Sequence, residues 1–139
     1  MKIFGIGTDI VNIKRIDNSL KKYGFGFKNR IFSKNEILYC ERRKNSSAFY
    51  AKRFAAKEAF SKALGTGIRK GVNFKDIEVS NNPQGKPSIF LKGDLAAYLK
   101  KKVKYKKYDI HLSLSDDKPW AQATVIISYN KWKINLQIT

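Results

Sequence analysis

The 139-residue sequence is poor in cysteine, histidine, proline and acidic residues. It has one cysteine, Cys40, and one histidine, His111, which excludes a disulfide framework and gives little support to a zinc site or a Cys-His nucleophilic pair. No apolar run approaches the roughly 20 residues that span a bilayer. Residues 1–11 carry one lysine and are interrupted by glycines and Asp9, so no signal peptide is expected. These absences predict a soluble, cytoplasmic, single-domain protein with no membrane partner.

Acidic residues are far outnumbered by basic ones. The sequence has 11 Asp and Glu against 29 Lys and Arg, which gives a formal net charge of +18. By charge alone the expected partner is nucleic acid, an anionic membrane, an acidic protein or a polyphosphate ligand. The sequence is also rich in Lys, Asn, Ile, Phe and Tyr, the residues that an AT-rich coding bias favours. This bias is an alternative explanation for part of the excess of basic residues, in place of an acidic partner. Net charge alone therefore does not identify the partner.

The apolar spacing predicts helices mainly in the first half of the chain and strands mainly in the second. The predicted strands lie at 2–9, 74–80, 88–92, 108–115 and 120–129, and the predicted helices at 10–23, 34–43, 47–64 and 94–106. Ser33 and Glu36 form a capping-box pattern, and Gly65 is placed to end the longest helix. We read Gly5-x-Gly7 as a site of close backbone packing. The pattern predicts an α+β domain with an antiparallel sheet.

The segment RFAAKEAFSKALGTGI, residues 53–68, carries the strongest chemical signal. At about 100° per residue on a helix, Lys57, Glu58, Ser61 and Lys62 share one arc, and nearly every other position is apolar or small. A helix that is apolar on most sides is buried, so the Glu58 carboxylate needs an ion pair, hydrogen bonds or a metal. The simplest alternative is an i,i+4 ion pair between Glu58 and Lys62.

Two neighbouring features extend this pattern. The segment Gly65-Thr66-Gly67 follows Lys57 by two helical turns and Lys62 by one. Its backbone N–H groups and hydroxyl, together with the two ammonium groups, suit phosphate binding. The spacing is not that of a P-loop. Asp9 ends the first predicted strand. It is expected either to cap the following helix or to form, with Glu58, a Mg²⁺ site that phosphate oxygens and water complete.

His111 lies on a strand whose two faces differ in polarity. It shares one face with Ser113 and Ser115, while aliphatic residues alternate with them on the other face. A lone histidine is most simply structural or solvated. Three polar groups on one strand face also fit a ligand-facing or interface surface.

Five motifs in order resemble the holo-[acyl-carrier-protein] synthases, the small 4′-phosphopantetheinyl transferases of bacterial fatty acid synthesis. The motifs are GIGTDIV at 5–11, RIFSKNE at 30–36, RFAAKEAFSKALGTGI at 53–68, Gly85-Lys86-Pro87, and HLSLSDD at 111–117. The resemblance runs from about residue 3 to 128. It implies a phosphopantetheinyl transferase fold, in which an antiparallel sheet packs against a long central helix, and a homotrimer. It also implies a domain over 1–129 and an extension over 130–139.

The resemblance also implies a reaction and the residues that perform it. The reaction is the Mg²⁺-dependent transfer of 4′-phosphopantetheine from coenzyme A to a serine of apo-acyl carrier protein, which releases adenosine 3′,5′-bisphosphate. The implied metal ligands are Asp9 and Glu58, with Lys62 as a further catalytic residue. The implied coenzyme A contacts are Arg53, Lys57, Ser61, Lys62, Gly65, Thr66, Gly67, Gly85, Lys86, Pro87 and His111. The acidic carrier protein is expected on cations of the first helix, namely Lys14, Arg15, Lys21, Lys22, Lys28 and Arg30.

Two other functions are weighed against this one. A nucleic-acid-binding module would need basic and aromatic residues interleaved on one sheet face, whereas residues 108–115 alternate polar and aliphatic side chains. A family member without activity is disfavoured because Asp9, Glu58 and Lys62 are all present. Asp116, which stands where many relatives carry histidine, and the lysine-rich run at 100–107 are not explained by the resemblance.

Overall fold

The computed structural model describes residues 1–65 and 72–133, and over these ranges the α+β prediction is confirmed. The strands are β1 Lys2–Asn12, β2 Ile77–Asn81, β3 Pro87–Leu91, β4 Lys106–Asp117 and β5 Trp120–Lys133. The α-helices are α1 Ile13–Ile31, α2 Lys34–Glu41, α3 Ser46–Leu64 and α4 Gly93–Lys102. In these two ranges no helix is both long and apolar enough to cross a membrane.

The long helix α3 packs against one face of an antiparallel sheet, as predicted. Three strands form this sheet in the order β1-β5-β4, and β2 and β3 form a separate hairpin. The small residues Ala51, Ala55 and Ala59 of α3 are fully buried, and so are Val125 and Ile127 of β5. Burial of this apolar interface between helix and sheet is the main stabilising contribution to the fold.

Gly5 and Gly7 let α3 lie directly on the backbone of β1. A Cβ atom at Gly5 would lie 1.8 Å from the carbonyl oxygen of Ala63, and one at Gly7 would lie 1.9 Å from that of Ala59. Backbone atoms cannot move aside as a flexible side chain can, so neither position accepts a side chain. The predicted close packing is confirmed, and it brings the end of β1 alongside the polar arc of α3.

Two local capping predictions are also confirmed. Ser33 and Glu36 form a reciprocal capping box at the start of α2. Gly65 follows the last residue of α3 with φ 87°, in the left-handed region that glycine adopts without strain.

The first helix begins later than predicted. β1 continues through Ile10, and Asn12 caps α1 by accepting a hydrogen bond from the Lys14 N–H. Ile10 is paired with Gln122 of β5, a distant partner that local helical spacing cannot reveal. The predictions that a helix begins at residue 10 and that Asp9 caps it are therefore wrong.

Other boundaries also differ from the prediction. The helix α4 ends at Lys102 rather than 106, and β2 begins at Ile77 rather than 74, because residues 74–76 form a short 3₁₀ turn. The helix α1 runs to Ile31 rather than 23, with a break at Gly24, where φ is 54°. The strand β5 continues to Lys133 and so crosses the predicted boundary between 129 and 130. Residues 134–139 of the predicted extension lie outside the described residues.

Candidate active site

The structure brings Asp9 of β1 and Glu58 of α3 together. Asp9 lies on the helix-facing side of β1, where its Oδ1 accepts a hydrogen bond of 3.2 Å from Lys62 Nζ. The same ammonium donates to the carbonyl oxygen of Thr8 at 3.0 Å. Burial, and then the negative charge of Asp9, raises the pKa of the Glu58 carboxyl above its usual range. The two carboxylates thus lie close enough to repel each other.

Lys62 pairs with Asp9 and not with Glu58. Over residues 1–65 and 72–133, Glu58 forms no salt bridge, although the positive charges of Lys62 and Arg15 partly offset the rise in its pKa. The i,i+4 ion pair considered from the sequence is therefore not formed. A half-buried carboxylate beside another carboxylate is the kind of site that a cation stabilises.

The chemistry of these donors fits Mg²⁺. Hard divalent cations prefer oxygen ligands, and Mg²⁺ is commonly held by one or two carboxylates with phosphate oxygens and water in the remaining positions. No cluster of three or more Asp, Glu, His or Cys side chains suited to a metal occurs in the described part of the chain. Asp9 and Glu58 would therefore hold the ion jointly with a phosphate-bearing ligand.

Lys57 does not belong to this site, which corrects its predicted contact with coenzyme A. Its side chain is fully buried, and its Nζ donates to Glu36 Oε1 at 2.8 Å, to the Phe74 carbonyl at 2.8 Å and to the Ile77 carbonyl. All three ammonium protons are therefore used inside the core. Burial lowers the pKa of Lys57, and the Glu36 carboxylate opposes that shift.

Ser61 is also turned inward. It is 2% exposed, and its hydroxyl donates to the carbonyl oxygen of Lys57 at 3.0 Å. Its predicted contact with the ligand is therefore not available in this arrangement. Of the four polar residues on the arc, Glu58 and Lys62 face the site.

We expect Lys57→Met to destabilise the protein by about 3–5 kcal/mol, because it leaves the buried Glu36 carboxylate without its counter-charge. Glu36 also accepts hydrogen bonds from the Ser33 and Val79 N–H groups, so the pair joins α2, α3 and β2. Urea denaturation measures the free energy of unfolding. The exposed Lys101→Met on α4 is the matched control and should change it by less than about 0.5 kcal/mol. A loss below about 1 kcal/mol for Lys57→Met would contradict the assigned structural role.

A second cavity, which we call the hairpin cavity, lies beside α3 and the β2–β3 hairpin. This cavity of about 170 Å³ is lined by Tyr39, Phe49, Lys52, Arg53, Asn81, Gly85, Pro87 and Leu114. Three of the predicted coenzyme A residues, Arg53, Gly85 and Pro87, therefore meet there. Lys86 is exposed in the adjoining turn, where its N–H donates to the Asn82 side chain.

Arg53 is held rigidly at the wall of the hairpin cavity. It is 1% exposed, its Nη2 donates to Asn81 Oδ1 at 2.6 Å, and its guanidinium lies 4.1 Å from the centre of the Tyr39 ring. Its Nε is the one buried side-chain nitrogen or oxygen in the described residues that lacks a hydrogen-bond partner. A buried, rigid cation with an unused donor suits an anionic ligand.

Sequence reasoning missed five residues of the hairpin cavity, namely Tyr39, Phe49, Lys52, Asn81 and Leu114. The two aromatic residues belong to no motif in the sequence, and in the structure their rings pack edge to face at 6.1 Å. No local pattern could signal the cavity, because it forms only when the β2–β3 hairpin folds against α3.

The glycine segment after α3 is described only at its first residue. The Gly65 N–H donates to the carbonyl oxygens of Ser61 and Lys62, so it is already used within the helix end. Thr66 and Gly67 lie outside the described residues. Any phosphate contact at Gly65 would therefore involve atoms other than this N–H.

His111 lies on the opposite face of the sheet from Asp9. It is exposed on β4, and its Nε2 lies 2.9 Å from the hydroxyl of Ser128, which is 2% exposed. Asp9 instead faces α3. A ligand that contacts both residues of one chain would have to pass around the sheet.

The six predicted docking cations of α1 have three different surroundings. Lys14, Arg15 and Lys22 line an open groove of about 510 Å³. Lys21 pairs with Asp17 at 3.0 Å, and Lys28 pairs with Glu41 at 2.8 Å beyond the break at Gly24. Arg30 is exposed near the end of the helix. The structure thus brings together three of the six predicted docking cations and partly neutralises two others.

Comparison with known proteins gives a consistent family assignment. A sequence model of the 4′-phosphopantetheinyl transferase superfamily matches residues 5–124. The chain is 53% identical over 126 residues to the holo-[acyl-carrier-protein] synthase of Rhizobium meliloti (strain 1021), covering 90% of this chain and 91% of the relative. It is 49% identical over 127 residues to that of Pelagibacter ubique (strain HTCC1062), covering 91% and 98%.

Solved structures agree with the sequence relatives. The holo-[acyl-carrier-protein] synthase of Neisseria meningitidis matches with a TM-score of 0.83 and 40% identity, covering 91% of this chain and 98% of that one. The Helicobacter pylori protein, solved in complex with coenzyme A, matches with a TM-score of 0.77 and 36% identity, covering 88% and 99%.

Proposed function

Because the chain belongs to the 4′-phosphopantetheinyl transferase superfamily, we propose that Asp9, Glu58 and Lys62 form the catalytic centre of its phosphopantetheine transfer. The protein catalyses the reaction of the holo-[acyl-carrier-protein] synthases. It transfers 4′-phosphopantetheine from coenzyme A to a serine of apo-acyl carrier protein, giving the holo form and adenosine 3′,5′-bisphosphate. This reaction belongs to fatty acid biosynthesis, and the alternative of a nucleic-acid-binding module has no support among the relatives.

The transfer is a substitution at phosphorus. The serine oxygen forms a bond to the β-phosphorus of coenzyme A, and the bond from that phosphorus to the bridging oxygen of the pyrophosphate breaks. The leaving adenosine 3′,5′-bisphosphate takes the electron pair, and the serine hydroxyl loses its proton. Negative charge therefore develops on the leaving phosphate and must be stabilised.

Asp9, Glu58 and Lys62 have different roles in this substitution. Asp9 and Glu58 would hold Mg²⁺, which when bound neutralises the pyrophosphate charge and keeps the reacting groups in line. Lys62 Nζ lies beside Asp9 with a side chain 55% exposed, so it can reach the leaving phosphate. Asp9 is a candidate acceptor for the serine proton.

The observation that carries this proposal is the Glu58 carboxylate, half-buried beside Asp9 without a salt bridge in the described residues. Intact-mass spectrometry of apo-acyl carrier protein tests it. Incubation with this protein, coenzyme A and Mg²⁺ should add one phosphopantetheine arm to the carrier, and EDTA should prevent the addition. Addition that persists in EDTA would contradict the metal role, and no addition to several carriers would contradict the transferase.

We further propose that the active protein is a homotrimer in which each site lies between two subunits. The outer face of the sheet is uncovered in one chain, and Ile3, Ile6 and Ile10 are 49%, 63% and 60% exposed on it. Aliphatic residues in a row on an open sheet face favour burial against another chain. His111 shares this face, so a neighbouring subunit can supply its nucleotide contact.

The groove lined by Lys14, Arg15 and Lys22 is the proposed docking surface for the acidic carrier protein. Because exposed ion pairs are screened by salt, we expect carrier affinity to fall at least tenfold between about 0.05 and 0.5 M NaCl. Surface plasmon resonance with apo-carrier measures this. The triple substitution Lys14→Met, Arg15→Gln, Lys22→Met should flatten the salt dependence, while Lys101→Met should not. Affinity that is insensitive to salt would contradict electrostatic docking.

We propose the cytoplasm as the location of the reaction. Cys40 is a free, fully buried thiol, and burial raises its pKa to about 12, so it stays protonated and unreactive. A chain with a single, unbridged cysteine suits a reducing compartment.

A further inference from the structure

A third cavity lies where α4 turns into β4, away from the active site. Its volume is about 180 Å³, and its lining residues are Phe4, Lys102, Val103, Lys104, Lys106 and Tyr129. Phe4 lies five residues before Asp9 in β1, so the cavity is about 16 Å along the strand from the carboxylate pair. Phe4 and Tyr129 pack against the core, on the other side of the sheet from the isoleucines proposed as the subunit contact. The cavity therefore stays open when that contact forms.

The positive charge at this cavity is not neutralised by the described residues. Within residues 1–65 and 72–133, Lys102, Lys104 and Lys106 form no salt bridge with an acidic side chain. Lys106 Nζ lies 5.2 Å from the centre of the Tyr129 ring, and Lys102 Nζ lies 5.5 Å from that of Tyr98. Three lysines that line one cavity repel one another, and an anionic group bound among them would offset that repulsion.

The turn from α4 to β4 holds two side chains in a strained backbone conformation. The Lys104 N–H donates to the carbonyl oxygen of Lys101 at 3.0 Å, and the Tyr105 N–H donates to that of Lys100 at 2.8 Å. This pair of bonds is a Schellman motif, in which the position of Lys104 is usually glycine. Lys104 and Tyr105 have φ values of 56° and 63°, which residues with a Cβ atom disfavour. Keeping a lysine and a tyrosine here costs stability, which indicates that their side chains have a role beyond the fold.

The tyrosine of this turn is unusually open to solvent. Tyr105 is 62% exposed and lies in the chain between Lys104 and Lys106. Lysines beside an exposed tyrosine suit an anionic membrane surface, because the ammonium groups attract the headgroups and the amphipathic ring lies at headgroup level. Together with Tyr105, the three cavity lysines form a surface that we call the lysine edge.

A nucleic acid fits this surface less well. Single-stranded nucleic acids bind along a basic groove with aromatic rings free to stack on the bases. Here the rings of Phe4 and Tyr129 are partly buried against the core, and the cavity is too small to follow a strand. A single lipid headgroup in the cavity, with its neighbours facing the rest of the edge, uses all of these features.

We propose that the lysine edge binds the anionic headgroups of a lipid membrane surface. The contact is peripheral and reversible, and it needs no membrane-spanning helix. It replaces the sequence-based expectation of no membrane partner, and it does not depend on the transferase reaction.

Co-sedimentation with lipid vesicles tests the proposal. One set of vesicles contains phosphatidylcholine alone, and the other also contains about 30% phosphatidylglycerol. The parent protein should bind the anionic vesicles and not the neutral ones. The triple substitution Lys102→Gln, Lys104→Gln, Lys106→Gln should weaken this binding at least about tenfold.

A matched triple variant controls for net charge. Lys34→Gln, Lys44→Gln, Lys118→Gln removes three exposed lysines from other parts of the surface and should weaken vesicle binding less than about threefold. Equal weakening by the two triples would mean that net charge alone drives the contact, and it would overturn the proposal.

A single variant separates binding from folding. Lys104→Gly should raise the melting temperature, because glycine adopts a positive φ without strain. The same variant should bind anionic vesicles about fivefold more weakly, because one ammonium group is lost from the edge. A Lys104→Gly variant that binds these vesicles as tightly as the parent protein would contradict the role of the lysine.

Competition distinguishes a lipid surface from other anions. Inorganic phosphate should not displace the protein from anionic vesicles beyond the effect of chloride at the same ionic strength, because it offers Tyr105 no interface. Specific displacement by phosphate would assign the cavity to a free phosphate, and tighter binding of a single-stranded oligonucleotide would assign the edge to nucleic acid. Either result, or no binding to anionic vesicles, would overturn the proposal.

Discussion

Glu58→Gln is expected to reduce phosphopantetheine transfer at least about 1,000-fold, since it removes one of two carboxylates that would hold the metal at the reacting phosphates. The glutamine side chain has nearly the same shape but no charge, so packing around α3 is preserved. Initial rates of holo-carrier formation at saturating coenzyme A and Mg²⁺ measure the loss. Asp9→Asn should give a loss of similar size.

Thermal unfolding distinguishes this chemical effect from misfolding. In metal-free buffer near neutral pH, Glu58→Gln should raise the melting temperature, because burial and the charge of Asp9 make the ionised Glu58 unfavourable in the folded state. Lys101→Met should keep both the rate and the melting temperature of the parent protein. A Glu58→Gln variant that retained more than about a tenth of the rate would contradict the catalytic assignment.

Mixing two impaired variants is expected to restore activity if the site is shared between subunits. In one chain, Glu58 faces the site beside α3, whereas His111 lies on the other face of the sheet. Glu58→Gln subunits would keep His111, and His111→Ala subunits would keep Glu58. When equal amounts assemble at random into trimers, about a quarter of the interfaces join one intact Glu58 to one intact His111.

Co-refolding the two variants and measuring carrier modification tests this arrangement. The mixture should recover about a quarter of the parent activity, well above the sum of the separately refolded variants. Mixing Glu58→Gln with Asp9→Asn is the control, since both changes affect the same side of an interface and no intact site can form. Activity no higher than that sum would mean that each chain forms its own site.

Local signals in the sequence were reliable wherever adjacent residues decide the structure. The Ser33–Glu36 capping box and the Gly65 helix end need a few consecutive residues, and both occur as predicted. The alternation of β4 also holds, with Ile110, Leu112 and Leu114 on the covered face and His111 on the open one. The family motifs identify the reaction, because the residues that bind a common ligand recur at fixed spacing.

Tertiary contacts decided what the local pattern left open. Helical spacing assigned Ile10 to a helix, but pairing with β5 kept it in β1. The same spacing put Lys57 and Glu58 on one polar arc, yet α2 and β2 cover Lys57 and leave Glu58 at the site. Helical spacing gives the angles between side chains around the helix axis. It does not show which of those side chains other helices and strands cover.

By itself, then, the sequence determined the fold class, the capping box of α2, the end of α3, the reaction and the candidate carboxylates Asp9 and Glu58. Only the tertiary structure brought Asp9 beside Glu58, buried Lys57 against Glu36 and formed the cavity that holds Lys52 and Arg53. These contacts join residues far apart in the chain. They form only when burial of the apolar helix–sheet interface offsets the entropy lost in ordering the chain. A short stretch of sequence therefore does not reveal them.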